Sequence, residues 1–420
     1  MNDNWYKLDN VSKAFLAAFT KRDPRTMRVS CTLKEVINGE MLQKALNETI
    51  LLRPQFQVRV RRGFFWHYME QTDCMPVVEP ESGRVCPILY GNNYKGVLHY
   101  KVSYYGCRIN IDIFHVISDG TGALDFLKLL VLNYLKMSHP GELEEVAFSS
   151  RATQDERFEN SYEQFYDNSA GPIPKAILNK KKKAYHISKR KLPYDQLGFY
   201  EVHMETDKLL AGAKSLGVSM TSFLGASLMM AIRDGMPFAQ RKKPVTLSMP
   251  VNLRNYYPSE TLRNFFNNVD ISHVFDGSET LESLSKAFDA ELKEKTKPDK
   301  IKDQMNRYQS IERLFFTRMV PLGLKQPIVR MFSKTESKRV TAVLSNLGPM
   351  KVPDGMEKYI ENFTDYCSTE KLFITVTSFG NETILGIASA YSGTGVIRRF
   401  INTLKETGTE VTLYASEVIK

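Results

Sequence analysis

The chain has 420 residues, 42% hydrophobic and 25% charged, the composition of a soluble globular protein with a sizeable core in two ordinary domains or one unusually large one. Its formal charge of +10 fits an acidic partner (nucleic acid, a phosphate-bearing cofactor, an acidic carrier protein or a membrane surface) or colloidal solubility alone. No RNP, zinc-finger or basic-zipper pattern supports nucleic acid.

The opening MNDNWYKLDN has neither a basic stretch nor an apolar one, so no secretory signal is expected. The longest apolar runs, such as FLGASLMMAI from Phe223, are about half of what a transmembrane segment needs. Cys31, Cys74, Cys86, Cys107 and Cys367 are odd in number and scattered, without a C-x-x-C pair. They argue against a disulfide framework or a zinc site and for a reducing compartment, hence a cytoplasmic protein.

In chain order, Glu40 to Leu52 carries apolar residues at helical spacing. QVRVRR and Phe64 to Met69 predict a hairpin turning at Gly63, with Val58 and Val60 facing inward. A second strand pair covers Gly96 to Tyr105 and Arg108 to His115, and a helix runs from Gly122 to about Lys136. From His139 to about Pro193 the chain is polar and irregular, with Gly171-Pro172-Ile173-Pro174 and then seven Lys or Arg in Asn179 to Lys191. That stretch reads as a basic linker, or as a contact for phosphate or an acidic protein.

The second half repeats the mixture. Glu201 to Glu205 is a predicted strand, with Thr206 or Asp207 capping the next helix, and Ser219 to Arg233 is a strongly apolar helix. Strands follow at Pro244 to Pro250, Val340 to Leu344, Leu372 to Ser378, Thr383 to Ala390 and Glu410 to Ala415, with helices at Thr280 to about Lys295 and Val396 to Glu406. Two mixed α/β halves with a site at their interface is the economical architecture.

The residues that carry chemistry are concentrated in INIDIFHVISDGTGALDFLKLL, Ile109 to Leu130. Strand alternation puts Ile109, Ile111, Ile113 and His115 on one face. Asp119 suits the cap of a helix running through Leu124, Leu127, Val131 and Tyr134, and Gly120 and Gly122 allow close approach or positive φ. With an ordinary pKa of about 6.5, a neutral His115 can accept a proton from an attacking alcohol, thiol or amine. No G-x-S-x-G elbow, phosphate loop or H-E-x-x-H helix offers competing chemistry. His115 therefore lacks an obvious serine or cysteine to activate, and is cast as a base acting directly on substrate.

FHVISDGTG resembles the HxxxDG motif of the superfamily that holds chloramphenicol acetyltransferases, peptide-synthetase condensation domains, wax ester synthases and alcohol acetyltransferases. WYKLDNVSKAF, RRGFFWHYME, SMPVNLRNYYPSETLRNFFNN and VLSNLGPMKVP fall in the order of a bacterial alcohol acetyltransferase-like branch. The resemblance implies an α/β (α+β, mixed-sheet) fold of two chloramphenicol acetyltransferase-like subdomains with a tunnel between them. It divides the chain into 1–175 with the motif, a basic linker 176–195, and 196–420.

It also implies acyl transfer from a CoA thioester, or a phosphopantetheine thioester, to an alcohol, without an acyl-enzyme and without a permanently bound cofactor. His115 would be the base, Gly120 would keep the turn open, and Asp119 would be structural support paired with an arginine, for which Arg254 is the first choice. Arg254, Asn264, Ser345 and Asn346 are the candidate substrate-binding residues, with Gly348 in the same loop. Two departures stand out: Arg263 occupies the glycine position of a glycine-asparagine pair, and Phe114 stands where many relatives carry a first histidine. The competing readings are condensation-type transfer using an acidic carrier protein docked on the basic run, and a non-catalytic binding protein that retains the fold.

Overall fold

The computed structural model describes residues 5–91, 98–147, 152–167, 183–187, 190–193, 196–313 and 320–415. The Gly171–Pro174 segment and part of the basic run (179–182 and 188–189) lie outside the described residues.

The first half contains β1 (Trp5–Lys7), α1 (Asn10–Ala18), β2 (Thr26–Leu33), α2 (Gly39–Leu52), β3 (Val58–Arg62), β4 (His67–Gln71), β5 (Val78–Pro80), β6 (Tyr100–Tyr105), β7 (Arg108–Phe114), α3 (Gly120–Ser138), α4 (Gln154–Phe158) and α5 (Ser161–Gln164). The second contains β8 (Gly198–Glu205), α6 (Thr206–Ser215), α7 (Met220–Arg233), β9 (Val245–Asn252), β10 (Phe266–His273), α8 (Leu281–Lys295), α9 (Pro298–Arg313), α10 (Leu322–Ser337), β11 (Ala342–Pro349), β12 (Ile360–Cys367), β13 (Leu372–Phe379), β14 (Glu382–Ser389), α11 (Gly395–Glu406) and β15 (Val411–Ala415).

Among the described residues the strands form a five-stranded sheet in the order β12-β2-β7-β6-β5, a seven-stranded sheet β10-β9-β11-β13-β14-β8-β15, and a small sheet β1-β4-β3. Each large sheet carries helices and its own apolar core. The strand pairing does not follow a single cut in the chain, because β12, from the second half, is the edge strand of the first sheet and pairs antiparallel with β2.

The central strand β7 shows why this sequence makes a sheet hidden on both sides. Ile109, Ile111 and Ile113 are fully buried in the core that also holds Leu124, Leu127 and Val131 of α3. On the opposite face Asn110 accepts a hydrogen bond from the Ser30 hydroxyl at 2.7 Å, and Asp112 is gripped by Arg28 at 2.9 and 2.7 Å. The alternation is therefore apolar and polar, yet both faces are buried. β7 ends at Phe114, one residue before the expected end, so His115 opens the turn. Phe114 itself is buried among Tyr90, His99 and Phe19.

At the next helix the expected cap is displaced. Glu205 holds the cap position of α6 without a side-chain bond, while Thr206 is already helical and pairs its hydroxyl with that of Thr383.

The two large sheets are joined through β12. Tyr366 donates to Glu201 of β8 at 2.8 Å, and Arg108 of β7 clasps the same carboxylate at 2.6 and 3.1 Å. Burial opposes the charge on Glu201, but hydrogen bonds from His203 and Arg108 outweigh it and hold the carboxyl at about 2. Nearby, a Cβ on Gly386 would lie 1.9 Å from the Asp365 carbonyl oxygen, so only glycine allows this approach.

Asp365 is buried, its Oδ1 has no partner among the described residues, and burial pushes its carboxyl up to about 7. Its raised folded-state pKa makes the protonated form contribute stability that is full below the unfolded value and lost as pH rises through 7. Asp365→Asn is therefore expected to stabilise the protein by about 4 kcal/mol at about pH 8, with the gain shrinking toward zero below about pH 4, in urea titrations across pH. Gly386→Ala is expected to cost about 3 kcal/mol at every pH in the same titrations.

Candidate active site

His115 sits between the end of β7 and the start of α3, with partial solvent exposure. Its backbone N–H donates to the Arg25 carbonyl at 2.8 Å, and its ring lies against Phe15 of α1 and Phe266 of β10, with centroids 4.6 and 5.8 Å away. The surroundings of the ring thus come from both halves of the chain.

The hydrogen bonds around Asn264 settle which ring nitrogen is free. Asn264 Nδ2 donates to the His115 carbonyl at 2.8 Å and to the Ser12 hydroxyl at 3.1 Å. With the amide nitrogen so engaged, Oδ1 is the atom that faces His115 Nδ1, at 3.1 Å. An amide oxygen only accepts, so Nδ1 carries the proton and Nε2 presents its lone pair. Burial lowers the His115 pKa below its ordinary value; the negative charge of Asp119 and the Asn264 bond act in the other direction but do not outweigh it. The ring is neutral at neutral pH, with an unprotonated Nε2.

Asp119 caps α3, its Oδ1 accepting the Gly122 N–H at 3.0 Å. Its carboxylate also receives Arg254 at 2.8 and 3.3 Å and the Phe265 N–H at 2.9 Å. These bonds direct it at the helix start and the 254–265 segment. Arg254 spends its remaining N–H groups on the Thr261 and Arg263 carbonyls and on Asn252 Oδ1. It clamps Asp119, and no N–H of its guanidinium is left to meet a substrate. Asn264, another substrate-binding candidate, is hydrogen-bonded to His115.

The two glycines act through space rather than through unusual backbone angles, since neither has positive φ. A Cβ on Gly122 would lie 2.1 Å from the Leu262 carbonyl, while one on Gly120 would meet Leu347 Cδ2 at 3.1 Å. Leu347 belongs to the end of β11, where the pairing with β13 shifts register between Asn346 and Gly348 and Gly348 has φ +74°. Asn346 shapes this bulge: its Nδ2 donates to Thr221 at 2.7 Å and its Oδ1 accepts the Gly348 N–H at 2.8 Å. The Ser345 hydroxyl, on the same strand, makes no hydrogen bond among the described residues.

Arg263 points away from the site, donating to the Lys7 carbonyl at 2.6 Å and lying 3.4 Å from Asp9. Sequence reasoning missed Phe15, Ser12, Phe266 and Arg25. Arg25 is a non-glycine residue at φ +53° whose guanidinium lies 5.6 Å from the Phe15 ring centre. Backbone strain of this kind persists where surrounding structure enforces it.

No protein-family model matches the chain, and no curated protein matches it. Solved structures do match along nearly its whole length. It is similar to polyketide synthase associated protein 5 from Mycobacterium tuberculosis (13% identity, TM-score 0.61, 95% of this chain and 97% of that one). It is also similar to the starter condensation domain of rhizomide synthetase crystallised with C8-CoA (13% identity, TM-score 0.64, 96% and 95%). A trichothecene 15-O-acetyltransferase from Fusarium sporotrichioides is a third (10% identity, TM-score 0.62, 96% and 95%). The chain has the mixed α/β, two-subdomain fold of condensation domains.

Removing Arg254 leaves a buried carboxylate unpaired at the helix cap. Arg254→Met is expected to cost about 4 kcal/mol in chemical denaturation, and Arg254→Lys to recover only part because it cannot present the planar fork.

Proposed function

We propose that the protein is an acyltransferase that moves an acyl group from a CoA thioester to an alcohol, with His115 as general base. One observation carries this reading: a half-buried, neutral imidazole lying against Phe15 and Phe266, whose Nδ1–H is held by Asn264, so that Nε2 is the unprotonated nitrogen. The fold shared with condensation and acetyltransferase structures supports it.

In this mechanism Nε2 takes the proton of the acceptor hydroxyl as its oxygen attacks the thioester carbonyl. The tetrahedral intermediate collapses with cleavage of the C–S bond. The departing thiolate recovers the proton from the imidazolium, giving ester and free thiol. His115 bears charge only transiently, when Asn264 and the nearby Asp119 favour the imidazolium. Asp119, Gly120 and Arg254 hold the turn rather than touch substrate. Ser345, with an uncommitted hydroxyl, is our candidate for contacting the substrate carbonyl, and Asn346 keeps it in place.

The domain division belongs to the same proposal: 1–175 carries the base, 176–195 links, and 196–420 supplies Arg254, Asn264 and the β11 loop while lending β12 back. The basic surface suits the phosphates of CoA. All five cysteines are free thiols, which supports a cytoplasmic setting. The seven basic residues of Asn179 to Lys191 favour a second donor, an acidic carrier protein. Charge reversal at Lys180 to Lys183 separates the two, weakening a carrier-borne donor far more than CoA only in that second case.

Purified protein with acetyl-CoA and a panel of alcohols and amines is expected to release thiol, and His115→Ala to slow release by about 10³-fold. Wild-type rates in that variant would remove His115 as the base. Because burial lowers the His115 pKa, kcat/KM is expected to hold down through about pH 6.5 and fall only below it. Asn264→Leu is expected to lower kcat by about 10²-fold through loss of the favoured tautomer, with little change in KM.

A further inference from the structure

Helix α10 is turned inside out. Leu324, Ile328, Met331 and Phe332, one apolar row at helical spacing, are 67%, 62%, 66% and 49% exposed. The side facing the protein carries Leu322 and Val329 but also Lys325, Gln326 and Ser333. A helix stabilised only by its own core would bury the apolar row, so the outward orientation of these four side chains marks an interaction surface.

Three further observations define what that surface meets. Arg330, Lys334 and Lys338 form a second row, four residues apart, directly beside the apolar one. Lys334 and Lys338 have no carboxylate at ion-pair distance among the described residues, and the one carboxylate of the helix, Glu336, is paired with Arg339. At its N-terminal end the helix is tied to the tip of the β3–β4 hairpin, where the Leu322 N–H donates to the Phe64 carbonyl at 2.9 Å and Lys325 Nζ to that of Phe65 at 3.1 Å. Phe64 and Trp66 on that tip are exposed as well. Two exposed aromatic side chains therefore lie on the hairpin tip tied to the N-terminal end of the helix.

We infer that α10 and the hairpin tip form a docking face for an anionic lipid bilayer. The chemistry is that of an interfacial helix: apolar side chains enter the acyl boundary, the lysines meet acidic headgroups, and tryptophan sits at the interface. A convex helix with its apolar row pointing outward offers no groove to enclose a protein segment, whereas a membrane surface needs none. α10 also packs along α1, the helix that sets Phe15 on the His115 ring, and Arg330 Nε donates to the Ala17 carbonyl at 3.4 Å. The lipid-facing side is thus one helix away from the candidate site, although the inference does not require turnover.

The test is co-sedimentation of the full chain with phosphatidylcholine vesicles, with and without phosphatidylglycerol. Wild type is expected to sediment with the anionic vesicles, with a blue shift in the emission of its two tryptophans, Trp5 and Trp66. Ile328→Asp with Met331→Asp is expected to abolish binding with an unchanged circular dichroism spectrum, since both side chains are exposed. Lys334→Ala with Lys338→Ala is expected to weaken binding about 30-fold and reduce its salt dependence. Absence of wild-type binding, or binding unchanged by the aspartates, overturns the proposal. So does a wild-type dimer that the aspartates convert to monomer without any vesicle binding, which would assign the face to a second copy of this chain. Equal binding to neutral and anionic vesicles overturns the role of the lysines.

Discussion

The arrangement around His115 depends on the Asp119 carboxylate. It accepts the Gly122 N–H as the cap of α3, the Arg254 fork, and the Phe265 N–H. The last of these fixes the backbone immediately after Asn264, and so fixes where the Asn264 amide reaches. An ion pair that does not touch the imidazole thereby controls which imidazole nitrogen is free. Both members are largely removed from water, where a paired, hydrogen-bonded charge is strongly held and an unpaired one strongly penalised.

This produces a division of labour within one short turn. Burial keeps the imidazole uncharged, which makes Nε2 available, while Asp119 and Asn264 favour the charged form. The proposed role of His115 needs both tendencies in that balance: neutral before a proton arrives, stabilised once it has arrived. Were Asp119 hydrogen-bonded to the ring, the charged form would gain more and the imidazole pKa would rise. The Arg254 clamp keeps the carboxylate close and directed elsewhere.

Much of this was legible in the sequence. The change from period-two alternation over Ile109 to Ile113 to helical spacing from Leu124 marks β7 and α3, and the same contrast identifies the hairpin and α7. β2 carries a readable signal, with Met27, Val29, Cys31 and Leu33 alternating with polar residues. β12 does not. It is interrupted by a register shift near Ile360, and its Thr364 and Asp365 are buried although polar, so its pattern is not that of a half-exposed strand. Asn264 and Arg254 came into view only through resemblance, since nothing in their local spacing announces a partner in the other half. Phe15 and Arg25 gave no signal, because their proximity to His115 exists only in three dimensions.

The strand β12 has a consequence for how the chain reaches this state. β2 lies between β7 and β12, so until residues 360–367 have been synthesised it is an open edge carrying buried-type side chains. The first sheet is thus completed by the last sixth of the chain, a pairing of very long sequence separation that is intrinsically slow to form. During synthesis the N-terminal half emerges as an unfinished unit whose exposed strand edge invites pairing with other chains. The two halves are consequently not separable modules: the half that carries His115 reaches its final form only after nearly all of its partner has been made.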